Sequence, residues 1–266
     1  MNVPPELSGF WNRWWGDIDA PPSLVYIIAS TVRTGSYMLC EGLEMTRHAG
    51  RPAEAFCPDH RIGYSERWNI PIESSFGDFF QAVIKNGCTP NGVFGVKIHA
   101  HHLQPLAEES GFPGRPFQVL PHLFPGAKYI DLTRQDRRAQ AISYYRAAAT
   151  NEWWRIDGVE NPYVRAKEAS FNAVAICALE DKLAEQQAAW NRFFTAEKIE
   201  PLRMDYESLC RNYRGEIARA LAFLGQNPAL AAKLPEPRLV RQADATTETW
   251  RRELDALFPL DDAKKT

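Results

Sequence analysis

Leu24-Val25-Tyr26-Ile27-Ile28-Ala29 runs straight into Ser30-Thr31-Val32-Arg33-Thr34-Gly35-Ser36-Tyr37, and this junction decides the fold. Its first six residues are continuously apolar and rich in β-formers, the pattern of a short strand buried on both faces. Small polar residues follow. Then, from Tyr37 to Thr46, Met38, Leu39, Leu43 and Met45 fall close to helical spacing. The chain therefore opens strand, polar loop, helix. A loop entering a helix N-terminus turns unpaired backbone N–H groups outward, at the positive end of the helix dipole, where phosphate or sulfate binds. Gly35 allows close backbone approach to an anion, Thr34 and Ser36 add hydroxyls, and Arg33 adds a fixed charge. The same residues also read as a Ser/Thr-capped helix behind a strand. Both readings fit this stretch taken alone.

Working outward, Gly92–Ile98 and Lys128–Thr133 are further strand candidates, with Leu202–Met204 a fourth. Helical patterns occupy Phe76–Lys85, Arg137–Ala149, Ser170–Glu197, Glu216–Leu224 and Thr249–Phe258. In the longest, Phe171, Ala175, Leu179 and Leu183 step by four, and Trp190 and Phe194 resume the phase. Gly225 is the natural stop for the helix before it. Strands alternating with helices predict the α/β class: one domain over residues 23–266, a central parallel sheet flanked by helices, behind an N-terminal arm of residues 1–22. The arm carries Phe10-Trp11-Asn12-Arg13-Trp14-Trp15, which reads either as a packed arm or as an aromatic patch for a partner subunit or substrate.

A chain of 266 residues holds a core without covalent staples. Its 31 Lys+Arg and 33 Asp+Glu leave a net charge of −2, which argues against wholesale nucleic-acid binding but not against a local basic pocket. The five cysteines, Cys40, Cys57, Cys88, Cys177 and Cys210, are odd in number, widely spaced and free of any C-x-x-C. That is neither a disulfide framework nor a zinc motif, and the expectation is reduced, mostly buried thiols. Met1–Glu6 lacks the pattern of a signal peptide, and no apolar run approaches the ~18–20 residues of a membrane span. The expectation is a cytoplasmic protein with no membrane span.

Arg134 sits just past the third strand, and Ser143 lies on the helix that follows, ahead of Tyr144-Tyr145-Arg146. In open α/β sheets ligands lie beyond the strand C-termini, so Arg134 falls where it can grip a phosphate bidentately. A helix-capping Arg on a solvated face reads equally well. The first loop is no Walker A motif, because it lacks the second Gly and the Lys before the Ser/Thr; nor is there a G-x-G-x-x-G, G-x-S-x-G or H-E-x-x-H. His99-Ala100-His101-His102 has the residue types for zinc but no matching Cys or carboxylate cluster along the chain. The reading taken is a polar site wall and no metal.

Together these motifs resemble the superfamily of sulfotransferases that use 3′-phosphoadenosine 5′-phosphosulfate (PAPS), and within it the bacterial branch typified by trehalose 2-sulfotransferase. Ala49-Gly50-Arg51-Pro52-Ala53-Glu54-Ala55-Phe56 is similar to that branch's segment bearing the catalytic glutamate. Thr89-Pro90-Asn91-Gly92-Val93-Phe94-Gly95-Val96-Lys97, Ala141–Ala147, Trp153-Trp154, Leu224–Pro228 and Arg241-Gln242-Ala243 also have counterparts. The resemblance runs from residue 23 to 258 and is weakest over 57–88.

The resemblance implies a P-loop-like sulfotransferase fold and transfer of a sulfuryl group from PAPS to a hydroxyl of a carbohydrate or related small metabolite. Val32, Arg33, Thr34, Gly35, Ser36 and Tyr37 would hold the 5′-phosphosulfate, Arg134 and Ser143 the 3′-phosphate, and Arg241 and Gln242 the nucleotide. Glu54 would be the general base, with Arg33 and Lys97 serving the sulfate; Glu54, Arg146, Trp153 and Trp154 would meet the acceptor. A homodimer is also implied. On the residues alone, Glu54 reads as a solvent-exposed loop carboxylate, Lys97 as a structural ion pair, the two tryptophans equally as core, and Arg241-Gln242 as surface. Two rivals remain: a P-loop-like small-molecule kinase, and a nucleotide-binding protein that has lost catalysis.

Overall fold

The computed structural model describes residues 21–156, 158–166, 168–238 and 244–259. Its elements, in chain order, are β1 (Leu24–Ser30), α1 (Ser36–Met45), α2 (Arg61–Arg67), α3 (Phe76–Gly87), β2 (Val93–His99), α4 (Leu103–Glu109), α5 (Val119–Leu123), β3 (Lys128–Thr133), α6 (Arg137–Thr150), α7 (Ala173–Ala196), β4 (Leu202–Asp205), α8 (Tyr206–Arg211), α9 (Tyr213–Phe223) and α10 (Ala245–Leu257). The strands form one parallel sheet in the order β2-β1-β3-β4. This is the α/β architecture expected, with β1 at its centre. Residues 1–20, 239–243 and 260–266 lie outside the described residues, so most of the proposed arm, and Arg241 and Gln242 with it, receive no structural account.

Strand alternation divides the core. Val25, Ile27 and Ala29 of β1 join Phe94, Val96 and Ile98 of β2 on one face, under α3, α4, α5 and the C-terminal half of α7. Tyr26 and Ile28 face the other way, with Ile130 and Leu132 of β3, against α1, α8 and α9. A third cluster joins Ala141 and Ile142 of α6 to Ile176 and Leu183 of α7 and Trp250 and Leu254 of α10. In α7 the fully buried residues Ile176, Leu183 and Trp190 recur every seven positions, and the helix serves the third cluster first and the first cluster after it. Phe171 lies just before α7 and packs on Trp250, so the step-of-four reading placed it one turn too far in.

The strands match their sequence patterns, β3 to the residue; the helices read at Phe76 and Arg137 start at those residues, whereas three later helix starts shift. Each of these three shifts follows a side-chain cap that apolar spacing does not register. Asn172 accepts from Ala175 N–H and starts α7 at Ala173; Asn212 accepts from Gly215 N–H and starts α9 at Tyr213; Asp244 accepts from Thr247 N–H and starts α10 at Ala245. Gly225 ends α9 as expected: φ is 71°, its N–H bonds Ala222 O, and Gln226 N–H bonds Leu221 O. The helices α2, α4, α5 and α8 span too few turns to show a period. The thiols are all free, but only Cys40 and Cys57 are buried; Cys88 and Cys177 are half-buried and Cys210 is exposed.

Register makes one contact indispensable. Tyr26 pairs with Gly95 across β1 and β2. Its ring lies over the glycine, and its hydroxyl donates to Ala49 O at 2.6 Å in the segment leading to Glu54. A Cβ at Gly95 would stand 2.4 Å from the Tyr26 ring. Gly95→Ala is therefore expected to cost about 1–3 kcal/mol by overpacking, measured as a lower urea midpoint at unchanged slope; an unshifted midpoint would contradict this packing.

Candidate active site

The C-terminal ends of β1, β2 and β3 open onto a cavity of about 1500 Å³. Two groups of side chains line it. The first is built on the loop between β1 and α1. Arg33 (φ 64°) and Gly35 (φ 75°) both take left-handed backbone, which curls the loop into a concave nest of N–H groups. The first helical bonds come from Met38 and Leu39 to Gly35 O, so the N–H groups of Gly35, Ser36 and Tyr37 precede the helical ladder. Gly35 is the N-cap and no side chain caps α1, which overturns the Ser/Thr-cap reading. Thr34 Oγ1 turns back to Thr31 O instead. A Cβ at Gly35 would fall 2.6 Å from the Tyr206 ring, so only glycine permits this approach.

Arg33 donates from Nε to Ser143 Oγ at 2.9 Å and from Nη1 to the Trp153 carbonyl. Arg134 donates to Arg33 O at 3.2 Å and lies 4.6 Å from the centre of the Tyr206 ring. It is half-buried in the site rather than on a solvated face. Asp136 caps α6, accepting from Ala139 N–H. Burial, and after it the neighbouring Arg134, push the Arg33 pKa down to about 10. Two guanidinium groups share this corner, and an anion between them would relieve both effects. Gln140 braces the loop from behind, donating to Thr31 Oγ1 and Val32 O at 2.8 and 2.6 Å.

The second group surrounds Glu54. Residues 51–54 run along the edge of β2, pinned by Arg51 N–H to Gly87 O and Lys97 N–H to Ala53 O at 2.7 and 3.0 Å. This brings the Glu54 carboxylate, only 7% exposed, to 2.5 Å from the fully buried Lys97 ammonium. Tyr37 OH donates to Oε2 at 3.1 Å, and its ring centre lies 3.5 Å from Lys97 Nζ. His99 Nε2 and His102 Nε2 both face Oε1 at 3.4 Å. Burial alone would raise the Glu54 pKa, but the Lys97 charge overrides it and holds the carboxyl well below the usual range. Burial opposes the Lys97 charge as well, and Glu54 outweighs it, so Lys97 rises above its ordinary value. Burial drives His99 well below the usual imidazole range and His102 down to about 3, so both rings are neutral beside an ionised pair.

The sequence matches the Stf0 sulphotransferase family model over residues 25–255, most of its length. The chain belongs to that family. Two similar proteins are the trehalose 2-sulfotransferases of Mycolicibacterium smegmatis and Mycobacterium tuberculosis. They are 30% and 29% identical, each over 85% of this chain and 92% of the relative. A solved sulfotransferase domain from the olefin synthase of Synechococcus PCC 7002 aligns with 93% of this chain and 98% of its own, at 19% identity and a TM-score of 0.42.

Within this sulfotransferase, the expected residues gather from positions far apart in the chain. Val32, Arg33, Gly35, Ser36, Tyr37, Glu54, Arg134, Ser143, Arg146, Trp153 and Trp154 all line the cavity. Lys97 lies behind Glu54, bridged by their ion pair. Glu54 is buried and ionised, not a solvent-exposed loop carboxylate. Trp153 and Trp154 are half-buried and line the opening rather than the core. Tyr37 sits in the expected loop, but its hydroxyl is spent on Glu54. The Arg146 guanidinium grips Asp244 with both nitrogens, at 2.7 and 2.8 Å, and Thr247 Oγ1 as well, tying α6 to the start of α10. Sequence reasoning missed Tyr206, Gln140 and the partnership of His99 and His102 with Glu54; only the histidines left a signal, in their spacing.

Removing one member of a buried pair strands the other. Lys97→Met is expected to cost about 3–5 kcal/mol, and Lys97→Met with Glu54→Gln less than the two single losses added together. Urea unfolding of all four proteins checks this; simple additivity would contradict the coupling.

Proposed function

We propose that this protein moves a sulfuryl group from PAPS to a hydroxyl of a carbohydrate or related small metabolite, with Glu54 as general base. The observation that carries the reading is the meeting of two sites in one cavity: an anion-binding nest with two arginines, and a buried, ionised carboxylate. The volume of about 1500 Å³ exceeds the roughly 300–1,000 Å³ of a one-ligand pocket, which leaves room for a nucleotide and an acceptor together. The names of the two relatives make trehalose the first acceptor to try.

When bound, PAPS supplies the sulfuryl group on a phosphate anhydride. Glu54 takes the proton of the acceptor hydroxyl as its oxygen bonds to sulfur; the sulfur–oxygen bond to the phosphate breaks, and 3′-phosphoadenosine 5′-phosphate (PAP) leaves with the electron pair. The nest N–H groups, Arg33 and Ser36 stabilise charge on the transferring and leaving groups. Arg134 and Ser143 hold the 3′-phosphate. Lys97 keeps Glu54 ionised at rest, and turning its ammonium toward developing charge makes Glu54 a stronger base when a proton must be taken. Most of the acceleration comes from positioning and electrostatics.

Glu54→Gln should retain PAP affinity near wild type and lose about 10²–10⁴-fold in turnover; unchanged turnover removes Glu54 as base. Arg134→Ala should weaken PAP far more than adenosine 5′-phosphosulfate, which lacks the 3′-phosphate, as read by calorimetry; equal weakening of both overturns the 3′-phosphate assignment. PAP, and not ATP with Mg²⁺, should raise the melting temperature, and the opposite pattern would favour the kinase reading.

A further inference from the structure

Cys57 lies three residues beyond Glu54, and its N–H closes a turn onto Glu54 O at 3.2 Å. The turn places the thiol beside the carboxylate. The ligand atoms of Glu54, Cys57 and His102 all fall within 4.8 Å of one another, and all three residues are buried. His102 is 2% exposed; its Nδ1 accepts the His99 N–H at 3.4 Å, while Nε2 has no hydrogen-bond partner among the described residues and faces Glu54 Oε1 at 3.4 Å. Burial, and then Glu54, push the Cys57 thiol up to about 11, so it does not add a charge at rest.

We propose that Glu54 Oε1, Cys57 Sγ and His102 Nε2 form a site for a borderline-soft divalent cation of the zinc class, with a fourth position open to the cavity. One carboxylate, one thiolate and one imidazole are the ligand types zinc takes, and three protein ligands with an open position suit an exchangeable ion. Tetrahedral zinc spaces its ligand atoms by roughly 3.3–3.8 Å. The Glu54–His102 edge already meets that spacing, and the thiol closes to it by a side-chain movement of about an ångström. Binding moves the His102 ring proton to Nδ1 and gives up the long bond from His99 N–H. Cys57 loses its proton to solvent as the sulfur–metal bond forms. Lys97 holds the other carboxylate oxygen, Oε2, and its positive charge limits the affinity. The ion is therefore a reversible occupant and not a resident part of the fold. Occupancy takes Glu54 out of service, so zinc blocks turnover; this inhibitory effect rests on the base role proposed above, whereas the site itself rests on the three side chains.

Cobalt(II) titration of the ligand-free protein tests the site without any acceptor. The wild type should develop a thiolate charge-transfer band saturating at one cobalt per chain, and zinc should abolish it by displacement. Cys57→Ser should lose the band while keeping its circular dichroism, and His102→Gln should weaken cobalt binding by tenfold or more. Absence of the band, or a band that survives in Cys57→Ser, overturns the site. In the transfer assay zinc should inhibit wild type strongly and Cys57→Ser weakly. A band without inhibition upholds the site and instead counts against Glu54 as base.

Discussion

Two opposite charges 2.5 Å apart, both withdrawn from water, set the terms for the rest of this molecule. Desolvating a carboxylate and an ammonium costs several kcal/mol for each, and their attraction offsets this only with good geometry and further hydrogen bonding. The surroundings of Glu54 and Lys97 meet that demand. The Lys97 N–H to Ala53 O bond fixes the spacing, Tyr37 supports both partners, and His99 and His102 close the remaining side. Even the Tyr26–Ala49 bond beneath serves it, anchoring the segment that delivers Glu54. A buried pair of this kind is poor evidence for stability, and its siting at the strand ends argues for chemistry.

The other half of the cavity solves the reverse problem. A chain of net charge −2 gathers Arg33 and Arg134, a hundred and one residues apart, into one corner where their like charges oppose each other. The loop at the end of β1 accepts left-handed backbone at Arg33 to do so, a conformation that is uncommon for a long side chain. In the proposed reaction, that strain and repulsion are offset when the nucleotide arrives.

Much of this was legible along the chain because it is local. β1 and β3 announce themselves by runs of apolar β-formers, and Arg134 by its place one residue beyond a strand. The starts of α7, α9 and α10 were not, because Asn172, Asn212 and Asp244 act through single hydrogen bonds that leave no periodic trace. Residue type misled at Ser36 and Thr34, where glycine backbone, not a hydroxyl, begins α1. The state of Glu54 was invisible because its partners Lys97, His99 and His102 lie more than forty residues away, and only the β2 edge brings them together. Arg146 lines the cavity, and its grip on Asp244, ninety-eight residues away, likewise left no trace along the chain.

In the proposed reaction, one cavity holds a sulfuryl donor and a hydroxyl acceptor and transfers the group between them. The most direct test is to incubate the protein with PAPS carrying radiolabelled sulfate and a panel of sugars that includes trehalose, then separate the products. The expected result is a labelled sulfo-sugar formed one for one with PAP. Label that stays in PAPS across the panel and with a whole-cell extract, or that appears only as free sulfate, would contradict it.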